Sequence, residues 1–79
     1  MRNRSSLSIA FGQIVRELRI GADLSQERLS FLAKLSRNYV GQVERGENSP
    51  TLDAVAALAR ALGKPAGELI AAAETRAGS

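Results

Sequence analysis

The sequence predicts an all-α domain in which five short helices enclose one core. Three observations carry this. Apolar residues recur at three- and four-residue spacing rather than in alternation. Serine or threonine precedes several of these runs, and glycine or aspartate follows them, as helix starts and stops require. No stretch of the 79 residues holds a strand pattern or a repeat, and the length suits a single small domain.

The elements follow in order. Residues 1–6 are polar and basic and read as a flexible terminus, 7–74 as the folded domain, and 75–79 as a flexible tail. The first helix is expected over about 7–22, with Leu7, Phe11, Ile14, Val15, Leu18 and Ala22 on one face. Asp23 tolerates the left-handed position that ends such a helix. Ser25 caps a second helix over about 26–33, whose inward stripe is Leu29 and Ala33. Position 28 is Arg rather than Glu, so a reciprocal capping box is absent. Ser36 caps a third helix over about 37–45, with Val40 and Val43 inward and Gly46 as its stop. Glu47-Asn48-Ser49-Pro50 is a turn cluster. Thr51 caps a fourth helix over about 52–62, with Leu52, Val55, Leu58, Ala59 and Leu62 on one face and Gly63 as its stop. Pro65 opens a fifth helix over about 66–74, whose large apolar residues are Leu69 and Ile70.

Composition narrows the chemistry. The chain has no cysteine and no histidine, which excludes disulfides, the usual zinc sites and any imidazole or thiolate mechanism. The eight carboxylates are scattered and make no constellation with a nucleophile. An enzyme is therefore not expected, nor is a metal, a cofactor or a small-molecule ligand. No run of about 18 apolar residues offers a membrane span, and no signal peptide is apparent. A cytoplasmic, nucleoid-associated protein is expected. The net charge of +3 is unevenly placed: residues 1–45 hold eight basic and four acidic residues, and 46–79 hold three and four. A polyanion partner fits this distribution, and a solvated surface with scattered charge fits it equally well.

The most informative stretch is Ser25 to Gly46, SQERLSFLAKLSRNYVGQVERG. Two short helices meet at a tight turn around Lys34-Leu35, the layout of a helix-turn-helix. The segments LSQERLS, SRNYVGQVERG and SPTLDAVAALARALG resemble the lambda-repressor-like, XRE-type helix-turn-helix regulators over about residues 11–70. Within that family, RNYVGQVERG and the small size are most similar to controller proteins of restriction–modification systems. The resemblance implies a homodimer on a partly palindromic operator in double-stranded DNA, with the third helix in the major groove. Two residues depart from the family pattern. Ser30 stands where alanine is usual, and Lys34 stands where the turn glycine is usual.

The first residues of a recognition helix meet base edges. Arg37 suits guanine O6/N7, and Asn38 and Gln42 suit adenine N6/N7; a solvated helix face is the alternative for all three. The resemblance implies that Gln26 bonds a backbone phosphate and buttresses the third helix. It also implies that the loop holding Arg45, Asn48 and Ser49 touches the sugar–phosphate backbone. Lys34 adds charge near a phosphate, although Lys34 and Arg45 are equally read as solvated. Tyr39 is given a mixed role, at the DNA backbone and at the core edge. Gly41 allows close approach either to DNA or to a neighbouring helix. Arg19 and Glu44 match a structural ion pair of some relatives. Leu69, Ile70, Ala66 and Ala73 are the dimer-interface candidates, with Leu69 mainly core and Ile70 mainly interface. Phe31 and Leu32 either cover the core from outside or form an exposed apolar contact.

The function expected from this pattern is dimeric, sequence-specific transcriptional regulation. It is expected to be autoregulatory and to control a restriction–modification operon. Such a protein blocks polymerase at one site or touches RNA polymerase from an adjacent one. The competing class is a DNA-binding antitoxin or protein-interaction module of a toxin–antitoxin pair.

Overall fold

The computed structural model describes residues 5–78. Its five helices are α1 (Ser6–Gly21), α2 (Gln26–Ala33), α3 (Arg37–Glu44), α4 (Leu52–Ala61) and α5 (Ala66–Gly78), and no strand occurs among the described residues. Four of the starts are capped by a hydroxyl. Ser5, Ser25, Ser36 and Thr51 each accept from backbone N–H groups of the first turn of α1, α2, α3 and α4. Each cap satisfies a donor the helix leaves orphaned, and its loss costs about 1 kcal/mol. Residues 1–4 of the expected flexible terminus lie outside the described residues, whereas Ser5 caps α1 and Ser6 opens it.

The first four helices all end in a left-handed residue: Asp23 (φ 61), Lys34 (φ 59), Gly46 (φ 72) and Gly63 (φ 72). The next residue then donates back to the last turn. Leu24, Leu35, Glu47 and Lys64 bond the carbonyls of Arg19, Ser30, Gln42 and Ala59 at 2.9–3.0 Å. This closes otherwise unsatisfied carbonyls. Lys34 therefore does the turn glycine's work, at a cost of about 1 kcal/mol relative to glycine.

The core draws on every helix. Phe11, Ile14 and Val15 come from α1, Leu29 from α2, Val40 and Val43 from α3, Val55 and Leu58 from α4, and Leu69 and Ala73 from α5. α1 lies at the centre, packed on α5 and α3, while α2 packs on α3 and α4. Leu29, Leu58 and Leu69 are fully buried, and truncating any of them to alanine should cost about 2–5 kcal/mol.

Four expectations are corrected. Leu7 and Ala22 lie at the two ends of α1 and are exposed, because neither end is covered by another helix. Leu52 is 85% exposed on the first turn of α4, for the same reason. Leu69 is sealed in the monomer core, as its expected main role requires, but Ala73 is sealed there too and cannot form a dimer surface, which leaves Ile70 and Ala66, both half-buried. Finally, α5 runs through Gly78 instead of stopping near residue 74. Arg76 bonds Glu17 of α1 at 2.7 and 2.9 Å and Gln13 at 3.4 Å, so tertiary contacts hold the last turns. Ser79 lies outside the described residues.

Two glycines set how closely α3 approaches α1. A Cβ on Gly12 would overlap the Val43 carbonyl oxygen and lie 2.9 Å from that of Glu44. The two backbones therefore touch with no side chain between them. Gly46 needs its positive φ, and a Cβ there would also press on Ile9 at 2.9 Å.

Candidate nucleic-acid interface

Ser36 ends the αL turn at Lys34-Leu35 and caps α3 by accepting from Tyr39 N at 3.0 Å. Capping turns the first residues of α3, Arg37 and Asn38, outward, and both are exposed. Gln42 follows one turn after Asn38 on the same face and is half-buried. Val40 and Val43 point the other way and are fully buried. The helix thus has one face spent on the core and one that carries hydrogen-bonding side chains.

The C-terminal end of α3 is fixed by charge. Glu44 is buried, and Arg19 of α1 donates to it through Nε at 2.6 Å and Nη2 at 3.0 Å. Arg19 Nη1 also donates to the Leu24 carbonyl at 2.8 Å. Gln26, the first residue of α2, donates through Nε2 to Glu44 Oε1 at 3.0 Å. A buried carboxylate is costly unless its lone pairs are occupied, and here three N–H groups occupy them. No buried side-chain polar atom among the described residues lacks a partner. One cluster therefore ties α1, the start of α2 and the end of α3 together, which makes the tilt of α3 a rigid property of the fold. Gln26 has spent one amide N–H on this brace and retains a second.

The loop after α3 is held as firmly. Glu47 N donates to Gln42 O at 2.9 Å, and Asn48 Nδ2 donates to Gln42 Oε1 at 2.5 Å. Ser49 Oγ lies 3.0 Å from Ser8 Oγ, which ties the loop to α1. Arg45 is exposed and bonded to Glu47, through Nε at 2.9 Å and Nη2 at 3.2 Å, so part of its charge is balanced locally. Lys34 is exposed beside the start of α3. Tyr39 is half-buried against the core.

The structure thus brings Arg37, Asn38, Gln42, Arg45 and Asn48 together around α3 and its following loop, with Lys34 and Gln26 at the flanks. At Gly41 the nearest atoms a Cβ would meet are those of the Arg45 guanidinium, 3.0 Å away at Nη1, and not those of another helix. Ser30 turns its hydroxyl to the Glu27 carbonyl of its own helix at 2.7 Å, so the serine is buried without an unmet polar group. Phe31 does not cover the core. It is 70% exposed and lies under the Arg28 guanidinium, 5.2 Å from ring centroid to Cζ. Leu32 is also exposed.

Sequence reasoning missed Gly12 and Ser8, which set the α1–α3 approach and hold the loop. Their signal was present: small residues four apart, on the same helical face as Phe11 and Val15, mark a place where another backbone comes close.

The chain is similar to known proteins over most of its length. The pattern of the helix-turn-helix family matches residues 15–69. Control protein C.BamHI of Bacillus amyloliquefaciens is 37% identical over 60 residues, covering 75% of this chain and 74% of that protein. The crystal structure of the restriction–modification controller protein C.AhdI from Aeromonas hydrophila superposes with a TM-score of 0.75 at 49% identity, covering 77% of this chain and 92% of that one. The clp gene regulator ClgR of Corynebacterium glutamicum reaches a TM-score of 0.87 at 21% identity, over 96% of this chain and 81% of that one, a likeness of fold alone. The chain belongs to the helix-turn-helix family and is a DNA-binding regulator rather than an enzyme.

Proposed function

We propose that the protein acts as a homodimer on a partly palindromic operator, controls a restriction–modification operon and regulates its own promoter. The observation that carries this reading is the exposed pair Arg37 and Asn38 on the first turn of a helix whose far end is locked by Glu44. A rigidly held helix start is what a base-reading element needs, since hydrogen bonds to base edges tolerate little misplacement. The control-protein relatives support the operon assignment.

In this reading Arg37 pairs with a guanine, Asn38 meets an adenine, and Gln42 contacts the next base along the groove. Gln26, Lys34, Tyr39, Arg45, Asn48 and Ser49 line the two flanking phosphate tracks. Ile70 and Ala66 of α5 meet their symmetry mates across the twofold axis. RNA polymerase is either blocked or contacted according to where the operator lies. The protein works in the cytoplasm, on the nucleoid.

Selection of bound duplexes from a randomised pool tests the reading. It should return a motif with two related half-sites, and binding to that motif should weaken steeply as salt rises, because each neutralised phosphate releases counterions. A pool with no enriched motif, or a flat salt response, would overturn it. Ile70→Asp should shift the protein toward monomer in sedimentation and weaken operator binding with it. An unchanged dimer would place the interface elsewhere.

A further inference from the structure

The hydrogen bond between Asn48 and Gln42 carries an inference about which base edge the protein can read. It rests on the reading of α3 as the base-reading helix. A glutamine amide offers a carbonyl acceptor at one end and an N–H donor at the other, and rotation of its terminal torsion exchanges the two at little cost. Left alone, such a side chain accepts from adenine N6 or cytosine N4 in one orientation. In the other it donates to guanine O6/N7 or thymine O4. A neighbour that donates to the carbonyl end selects the second orientation for as long as its own amide keeps its N–H end turned inward.

The backbone puts that neighbour in place. Gly46 takes the left-handed turn that ends α3, and the Glu47 N–H then bonds the carbonyl of Gln42 itself at 2.9 Å. Residue 48 is thereby set beside the Gln42 side chain, and its Nδ2 donates to Gln42 Oε1 at 2.5 Å. Both side chains are half-buried, so water competes weakly for the bond. The loop cannot swing away easily, because Ser49 is tied to Ser8 of α1.

We infer that Asn48 is a positioning residue for specificity: it holds the Gln42 amide with its N–H end toward the groove, so that Gln42 selects an acceptor edge, guanine or thymine, at its base pair. Asn48 then shapes sequence preference through Gln42 rather than by reading a base itself.

The test compares motifs selected from one randomised duplex pool by the full-length wild type, Gln42→Ala, Asn48→Ala, Asn48→Asp and the Gln42→Ala/Asn48→Ala double variant. Gln42→Ala identifies the base pair that Gln42 reads. Asn48→Ala should lose roughly tenfold discrimination at that same pair, within the range of one good base contact, and the double variant should lose no more there. Asn48→Asp offers only acceptor atoms. It should turn the Gln42 N–H end toward itself and move the preference toward adenine or cytosine.

A wild-type pool with no motif overturns the regulator reading and this inference with it. A clear wild-type motif that Asn48→Ala leaves intact overturns the inference alone. So does a loss at a base pair other than the one Gln42→Ala affects, because Asn48 would then read DNA directly.

Discussion

Two arginine–glutamate pairs leave α1 in opposite directions, each bonded twice and at nearly the same distances. Arg19 grips Glu44 of α3 at 2.6 and 3.0 Å, and Arg76 of α5 grips Glu17 at 2.7 and 2.9 Å. Their surroundings differ. The side chains of the first pair are 11% and 2% exposed, and those of the second 37% and 60%. The buried pair is further bonded by Leu24 O and Gln26, so three elements depend on it. The exposed pair joins α5 to α1 and competes with water at every atom. Distance alone therefore says little about what an ion pair contributes. Burial sets how much is lost when one partner goes, and the molecule has put its buried pair behind the helix proposed to face DNA.

The largest effect is expected from Glu44→Ala, which strands a buried guanidinium and should cost about 3–5 kcal/mol in urea denaturation. That is a large part of the 5–15 kcal/mol typical of whole domains. Because a loss of that size threatens folding itself, Arg19→Met/Glu44→Leu provides the second measurement. It removes both charges, should recover much of the loss, and should still bind DNA poorly if the brace sets the tilt of α3. Should Glu44→Ala cost no more than Glu17→Ala, burial would not be what separates the two pairs.

Arg37→Ala sharpens the same contrast from the DNA side. Arg37 is exposed and makes no side-chain hydrogen bond or ion pair among the described residues, so stability should be unchanged. Binding should fall by about 1–3 kcal/mol at one base-pair position. Loss of the brace should instead weaken all sequences together. Competition binding against single-base operator variants separates the two patterns, and uniform loss in Arg37→Ala would remove it from the readout.

Much of this was legible along the chain because capping is local chemistry. Ser25, Ser36 and Thr51 mark three helix starts, and Asp23, Gly46 and Gly63 mark stops, each through bonds spanning three to five residues. What escaped depends on distant partners. Nothing within Glu74 to Gly78 announces that Arg76 will meet Glu17, so the extra turn of α5 could not be read. Periodicity placed Leu7 and Leu52 on apolar faces but cannot say where the covering helix ends. Gly12 interrupts an apolar face and looks like a weakness until the α3 carbonyls arrive above it. At the site, residue types suggested which DNA groups suit Gln42 and Asn48, but not that the two side chains bond each other.

Lys34→Gly should give a smaller change, of opposite sign. With φ at 59°, the lysine occupies a conformation that glycine takes without strain, so the variant should gain about 1 kcal/mol in chemical denaturation. If Lys34 also neutralises a phosphate, the slope of log affinity against log salt should shrink by about 1. A gain in stability with an unchanged salt slope would leave Lys34 as a turn residue only.

The smallest effect tests the exposed pair through pH. Hydrogen bonding to Arg76 holds the Glu17 carboxyl below its ordinary value of 4.5, with the guanidinium's charge acting in the same direction. A carboxyl with a depressed folded-state pKa binds protons more weakly in the folded than in the unfolded chain. Its contribution is therefore fully present above 4.5 and disappears as pH falls through the folded-state value. Thermal melts of wild type and Glu17→Gln should differ slightly at neutral pH and converge below that window. Added salt at neutral pH should narrow the same gap, because an exposed pair is screened. The Arg19–Glu44 brace, shielded from solvent, should respond far less to salt. A gap between wild type and Glu17→Gln that salt leaves untouched would mean that the α1–α5 clip behaves like the buried brace, and that exposure is the wrong variable by which to tell the two pairs apart.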